Sequence, residues 1–408
     1  MEYLNQVTPH YLYSLKNNQG HYKLKLEILS SFEQALGEII KDISITAQGQ
    51  ININYQQLTR RSCTLTLINV DKKYTPDQNR WFWINRKFKL WIGLQNNDDV
   101  YWFSQGVYYA QSVSGDSHVL NIQGIDKGGA LDGTLKLNMS DCKYIVETGS
   151  TISDLVRHTL QINDGANILD PIKPLIDMDF NKVIIETETS INQGEYIGAL
   201  LSDIATSYSA DIYYDTDGRL RFHKLCDGQR VDGYNYMGID YWFDDGNARY
   251  SASTLDYSYD CINSVTVYTN ISVQDSDGNT VENVSYTAYN KNPKSPLNIF
   301  AVGIRRMEAV EVKYIAKLSH DEMTERCRQT AEYYLLQNSM QNLSISFNSN
   351  IIPHLDVNKV VAITDKAKEL ESERFVIKSI TIPLSAGEMN IQATSIDMLS
   401  CDSNIGMW

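Results

Sequence analysis

Seven histidines, six cysteines and fifty acidic side chains are the groups from which this 408-residue chain would build a catalytic or metal centre. His10, His21, His118, His158, His223, His320 and His354 never fall four residues apart, so no helix face carries two imidazoles. Ser117 and His118 are neighbours, but in an alternating strand they point to opposite faces and cannot act as nucleophile and base. Cys63, Cys142, Cys226, Cys261, Cys327 and Cys401 form no CxxC and no Cys/His finger spacing, and read as structural thiols of a reducing compartment. HExxH, GxSxG, Walker A and GxGxxG are absent. The densest acid pairs, Asp98-Asp99 and Asp244-Asp245-Gly246, read as solvated turns. A glycosidase pair would need one desolvated carboxyl with a second about 5–9 Å away. Asp275-x-Asp277-x-Asn279 has Gly278 at the fourth rather than the sixth position and no Glu at the twelfth, so it is a turn and not a calcium loop. No catalytic residue, metal ligand or cofactor is expected.

Aromatic residues are more telling. Trp81, Trp83, Trp91 and Trp102 lie within 22 residues, joined by Phe82, Phe88, Tyr101, Phe103, Tyr108 and Tyr109. On strands they would fill a core, form a subunit contact or make a stacking platform for a sugar. As a subunit interface the candidates are Trp81, Trp83, Trp91, Trp102, Tyr108 and Tyr109. Charge limits the partners. The chain carries −14, and eleven Asp face five Lys/Arg between 203 and 260. Such acid disfavours a nucleic-acid grip. The basic residues Arg60-Arg61, Lys72-Lys73, Arg80, Arg86, Lys87 and Lys89 read as the positive ends of a solvated sheet. No apolar run approaches the roughly 20 residues of a membrane helix, and Met1-Glu-Tyr-Leu-Asn does not read as a secretory signal.

Period-two alternation dominates the elements. Tyr22-Lys-Leu-Lys-Leu-Glu-Ile28, Cys63-Thr-Leu-Thr-Leu67 and Val119-Leu-Asn-Ile-Gln123 read as half-buried antiparallel strands. So do Val265-Thr-Val267, Leu343-Ser-Ile-Ser-Phe347, 375–382 and Met389-Asn-Ile-Gln-Ala393. Asp215-Thr-Asp-Gly218 and Asp275-Ser-Asp-Gly278 place Gly where a hairpin turn needs positive φ. Helical stripes begin after Ser150 or Thr151, at Tyr196, and at Ser319, where Ser319-His-Asp-Glu322 has capping-box spacing and the helix runs over 319–337. The expected fold is α+β, predominantly antiparallel β. Residues 1–140 are β-rich, 141–225 mixed, 226–339 β-rich with one helix, and 340–408 strands again.

Taken together, these segments resemble the baseplate or tail-tip hub proteins of tailed bacteriophages and phage-tail-like machines. The resemblance is one of pattern rather than of a sharp motif. It rests on 42–46 with Arg60-Arg-Ser-Cys-Thr-Leu-Thr-Leu67, on 81–91, 102–108 and 122–127, and on the helix, helix and hairpin between 152 and 220. Farther on it rests on 263–267, 288–296, the helix after Ser319, and 351–399. It implies two barrel-like domains per chain, an inserted mixed domain (141–225), and a homotrimeric ring. The ring would join the tail tube, distal tail protein and tape measure protein to a tip or spike protein. DNA would pass without specific binding, and no membrane insertion by this chain is expected. The location implied is the virion tail, assembled in the host cytoplasm. Strand patterning ends about ten residues before Trp408, so no lytic or spike domain is expected and the chain reads as non-enzymatic. The alternatives are a glycan-binding receptor-recognition protein and a tail-associated cell-wall hydrolase.

Overall fold

Alternating apolar residues along the chain assemble mainly into one large antiparallel sheet. The computed structural model describes residues 7–17, 21–43, 47–55, 58–70, 74, 83, 85–96, 99–115, 118–135, 144–146, 148–160, 170–185, 189–208, 210–224, 230–231, 234–235, 239–257, 262–270, 272–274, 277–281, 283–293, 295, 297–304, 309–312, 319–339 and 343–395.

Helix α1 (Pro9–Asn17) precedes seven strands: β1 (Tyr22–Leu29), β2 (Ala35–Asp42), β3 (Ala47–Asn54), β4 (Arg61–Ile68), β5 (Lys87–Asn96), β6 (Asp99–Gly115) and β7 (Val119–Asp126). A mixed region follows, with α2 (Gly128–Leu131), β8 (Tyr144–Val146), α3 (Ile152–Thr159), β9 (Leu175–Ile176), β10 (Thr189–Ile191), α4 (Ile197–Ser207), β11 (Ala210–Tyr214) and β12 (Leu220–Lys224). Next come β13 (Tyr241–Phe243), β14 (Ala248–Tyr257), β15 (Ser264–Tyr268), β16 (Ser285–Tyr289), α5 (Ile299–Val302), β17 (Val310–Glu311) and α6 (His320–Ser339). The last strands are β18 (Leu343–Ser349), β19 (Val360–Asp365), β20 (Leu370–Pro383) and β21 (Met389–Ser395).

The main sheet runs β14-β18-β21-β20-β3-β4-β7-β6-β5-β1-β2, with β19 also on β20 and β13 parallel to β19. Its two ends along the chain meet where β3 pairs with β20, Ile53 opposite Ile380 and Ile51 opposite Ile382. Leu24, Leu26 and Ile28 of β1, Cys63, Leu65 and Leu67 of β4, and Ile345 and Phe347 of β18 point into one shared core. Each such Leu or Ile contributes about 1.5–3 kcal/mol by leaving water. The two β-rich regions that the sequence separates thus share one sheet and one core. Among the described residues the order stays open between β2 and β14, so the barrel-like expectation does not appear as a closed barrel.

Smaller cores lie beside this sheet. Residues of α3, α4, β11 and β12 bury Leu155, Val156, Leu201, Ile204, Ile212 and Phe222 together. Met323, Cys327, Ala331 and Leu335 of α6 close over Val265 and Val267 of β15. Both helix starts are capped as their sequences imply: Thr151 and Asp154 form a capping box, and Ser319 exchanges hydrogen bonds with Glu322. Helix α6 runs Met323–Cys327–Ala331–Leu335 along its buried side and ends two residues beyond the expected 337. Helix α1 is an addition to the sequence reading. Its Tyr11 is fully buried and touches His354 from the far end of the chain.

Candidate functional site

The aromatic cluster divides by register. Tyr108 lies in the main core, stacked on Phe88 with ring centroids 5.6 Å apart, and its hydroxyl donates to the Gln105 carbonyl. Tyr109 is buried with Ile125 and Ala130. Both are therefore core side chains of this chain, which removes them from the candidate subunit surface. Trp81 lies outside the described residues. Trp83 is 52% exposed, while Trp91 and Trp102 are half-buried on the outer face of β5 and β6. Trp91 donates its indole N–H to Glu27 at 2.9 Å, and the ammonium groups of Lys25 and Lys89 sit 4.4 and 4.3 Å from its ring. Lys25 also lies 5.3 Å from Trp102. Cations over these rings compete with a sugar for the same π-surface, which counts against the glycan platform.

Three of the expected solvated cations are placed otherwise; Lys72, Lys73 and Arg80 lie outside the described residues. Arg60, Arg61 and Lys87 are buried, at 3%, 1% and 5% exposure, and each is paired. Arg60, Arg61, Lys89 and Lys127 form an ionic joint between the main sheet and the β11–β12 hairpin, and Lys87 adjoins it through Glu33. Arg60 Nη2 donates to both Asp211 oxygens at 2.7 and 2.6 Å, and its guanidinium lies 3.7 Å from the Tyr213 ring centre. Burial alone would lower the Arg60 pKa, but Asp211 beside it holds the pKa above its ordinary value. Arg61 donates its backbone N–H to Asp126 at 2.7 Å, one guanidinium N–H to the Tyr214 carbonyl at 2.8 Å, and another to Asp356. Lys127 bonds Glu33 at 2.6 Å and Asp170 at 2.7 Å, and donates to the Gly218 carbonyl at 2.8 Å. Lys87 reaches the same Glu33 at 2.8 Å, and Lys89 reaches Asp217 at 2.8 Å.

Backbone details let the hairpin approach. The turn Asp215-Thr-Asp-Gly218 closes as its sequence implies, with Gly218 at φ +77°; a Cβ there would stand 2.6 Å from Val107 Cγ2. Ser104 donates to the Thr216 carbonyl at 2.5 Å. Gly106, at φ +134°, sits in a bulge of β6 where a side chain would press on the Arg61 stem. Glu33 adopts φ +59°, a strained choice for a non-glycine residue that sets its carboxylate between two lysines. None of these pairs was legible locally, because the partners stand 151 residues apart for Arg60 and 295 for Arg61.

Other candidate chemistry stays dispersed. His118 is exposed and Ser117 lies outside the described residues. Asp244 and Asp245 are exposed in a turn after β13. Cys63 and Cys327 are free and buried, and burial pushes the Cys63 thiol up to about 12; the other four cysteines lie outside the described residues. Among the described residues no three His, Cys, Asp or Glu side chains are arranged to hold a metal, and no helix is long and apolar enough to cross a membrane.

No family model matches the sequence, and no curated protein does. Solved structures do match the fold. A tail protein from Neisseria meningitidis MC58 superposes with a TM-score of 0.58 over 93% of this chain and 98% of its own, at 13% identity. The 43 kDa tail protein of prophage MuSo2 from Shewanella oneidensis gives 0.53 over 93% and 100%, at 16% identity. The Francisella PdpA–VgrG complex gives 0.50 at 11% identity, covering 94% of this chain and 54% of the matched chain. The fold is that of phage tail proteins of the hub-like kind, as the sequence pattern implies.

Proposed function

We propose that this chain is a non-enzymatic structural hub of a phage tail tip or baseplate. In this reading three copies form a ring that joins the tail tube, through the distal tail and tape measure proteins, to the tip or spike. DNA passes through the ring without specific binding, and the location is the virion tail. Residues 1–140 form the first barrel-like part and 141–225 the inserted part, while 226–339 is β-rich with one helix and 340–408 supplies the strands that close the second barrel-like part. The observation that carries this reading is the end-to-end match with the Neisseria tail protein, 93% of this chain on 98% of that one. The buried ion pairs hold the β11–β12 hairpin on the main sheet, which suits a part that transmits load.

Light scattering after size exclusion tests the assembly. A species near three times the 46.4 kDa chain supports the ring. A monomer at every concentration, with clearing of peptidoglycan in a zymogram, would replace it with a hydrolase.

A further inference from the structure

Residues 291–306 carry four cations (Lys291, Lys294, Arg305 and Arg306) and no acid, in a chain whose net charge is −14. Within this stretch the structure presents an apolar tip. Phe300 is 80% exposed, and Val302 and Ile304 are about half exposed, on and just after α5. The tip is clamped from below by polar side chains. The fully buried Asn263 donates from one amide nitrogen to the carbonyls of Leu297 and Gly303, at 2.9 and 2.8 Å, holding both ends of the tip. Asn298 accepts from the Phe300 N–H at 2.8 Å, and the Ile299 N–H donates to the Asn290 carbonyl at 3.0 Å. A rigidly held apolar tip is ordered before it meets anything, so the ordering cost of binding is already met. Exposed contiguous apolar surface of this kind marks an interaction site.

The partner must be apolar at its centre and acidic at its rim. An anionic bilayer has that chemistry, but a chain of −14 is repelled from it. The chain itself offers a match. Trp242 is 59% exposed on β13, and Asp240, Asp244 and Asp245 stand exposed beside it, with no Lys or Arg between 239 and 248. This patch is also rigid. Trp242 lies opposite Ala362 of β19, Phe243 packs edge-on against Phe347 behind it, and Asn247 donates to the Trp242 carbonyl at 2.9 Å. Lys359, 3.7 Å from Asp240, offsets part of that one charge; Asp244 and Asp245 form the acidic rim proper.

We propose that the Phe300–Ile304 tip of one copy docks on Trp242 of a second copy, with Lys291 facing Asp244 and Asp245. The two patches differ, so the contact is head-to-tail and closes into a ring when the rotation allows. This inference rests on the oligomeric reading above and names its interface.

The test uses the full wild-type chain, mixed in equal parts with a nitrogen-15-labelled preparation and treated with a carbodiimide, which joins an amine to a carboxyl at contact distance. The expected product is a Lys291–Asp244 or Lys291–Asp245 cross-linked peptide with one labelled and one unlabelled half. Phe300→Asp should abolish that link and weaken self-association at least tenfold, as expected for an aromatic anchor. Its circular dichroism, and its melting curve at a dilution where wild type is dissociated too, should stay at wild type, since the side chain is exposed. An oligomer without the link, unchanged by Phe300→Asp, overturns this interface and leaves the ring reading standing. A wild-type monomer at every concentration overturns both. Flotation with phosphatidylglycerol vesicles, lost in Phe300→Asp, would assign the tip to a bilayer and overturn the self-contact.

Discussion

Glu33, Lys87, Lys127 and Asp170 form a buried quartet of alternating charge, with every side chain at or below 6% exposure. Removing Glu33 leaves Lys87 buried with no carboxylate of its own, only the Ser31 carbonyl, and takes one of the two carboxylates from Lys127. Glu33→Ala should therefore cost about 3–5 kcal/mol in urea unfolding. Arg328→Ala on α6 breaks pairs with Glu325 and Glu332 that face solvent, and should cost less than about 1 kcal/mol. Equal losses in the two variants would contradict the burial argument. Two other buried groups titrate in opposition. Burial, aided by Lys359, lowers the His354 pKa to about 4, while burial raises that of Asp126 to about 7 against the N–H groups of Arg61 and Gly128. The unfolded imidazole gains its proton below about pH 6.5 and the folded one only near 4, so the His354 contribution is complete above pH 6.5 and lost as pH falls. The unfolded Asp126 carboxyl loses its proton from about pH 4 and the folded one near 7, so its contribution is full below 4 and lost as pH rises. Between pH 4 and 7, His354→Gln should tilt the stability curve downward with rising pH, and Asp126→Asn should tilt it upward. Parallel curves would contradict both assignments.

At the scale of elements, the β11–β12 hairpin is the piece whose placement depends most on backbone form. Gly218→Ala puts a Cβ against Val107 at positive φ and should cost about 1–3 kcal/mol. Ser319→Ala removes one helix cap and should cost about 1 kcal/mol, with no effect on the joint. Chemical denaturation of the two variants checks this order. Strands, turns and caps were legible because each is written in neighbouring residues: the alternation of β1 and β4, the Asp-Gly turn at 217–218, Ser319 with Glu322 three residues on. The joint was not. Arg60 and Lys87 look like surface cations until the fold brings Asp211 and Glu33 beside them, and nothing near them in the chain signals burial. Tyr108 was equally hidden, since only strand register separates it from the half-exposed face of Trp91 and Trp102.

For the whole molecule, strands from the two ends of the chain come together: Ile51 and Ile53 pair with Ile382 and Ile380, and both ends bury side chains in one core. Long-range pairing of this kind leaves no local trace. The hub-like fold was legible only as a succession of patterns, and the solved tail proteins match it at 13% and 16% identity. The central claim is that three copies close into a ring with an opening along its axis. Electron-microscopy class averages of the purified full chain test it most directly. The account predicts three-fold particles with a central opening. Single-chain particles, or two-fold dimers with no opening, at all concentrations would contradict it.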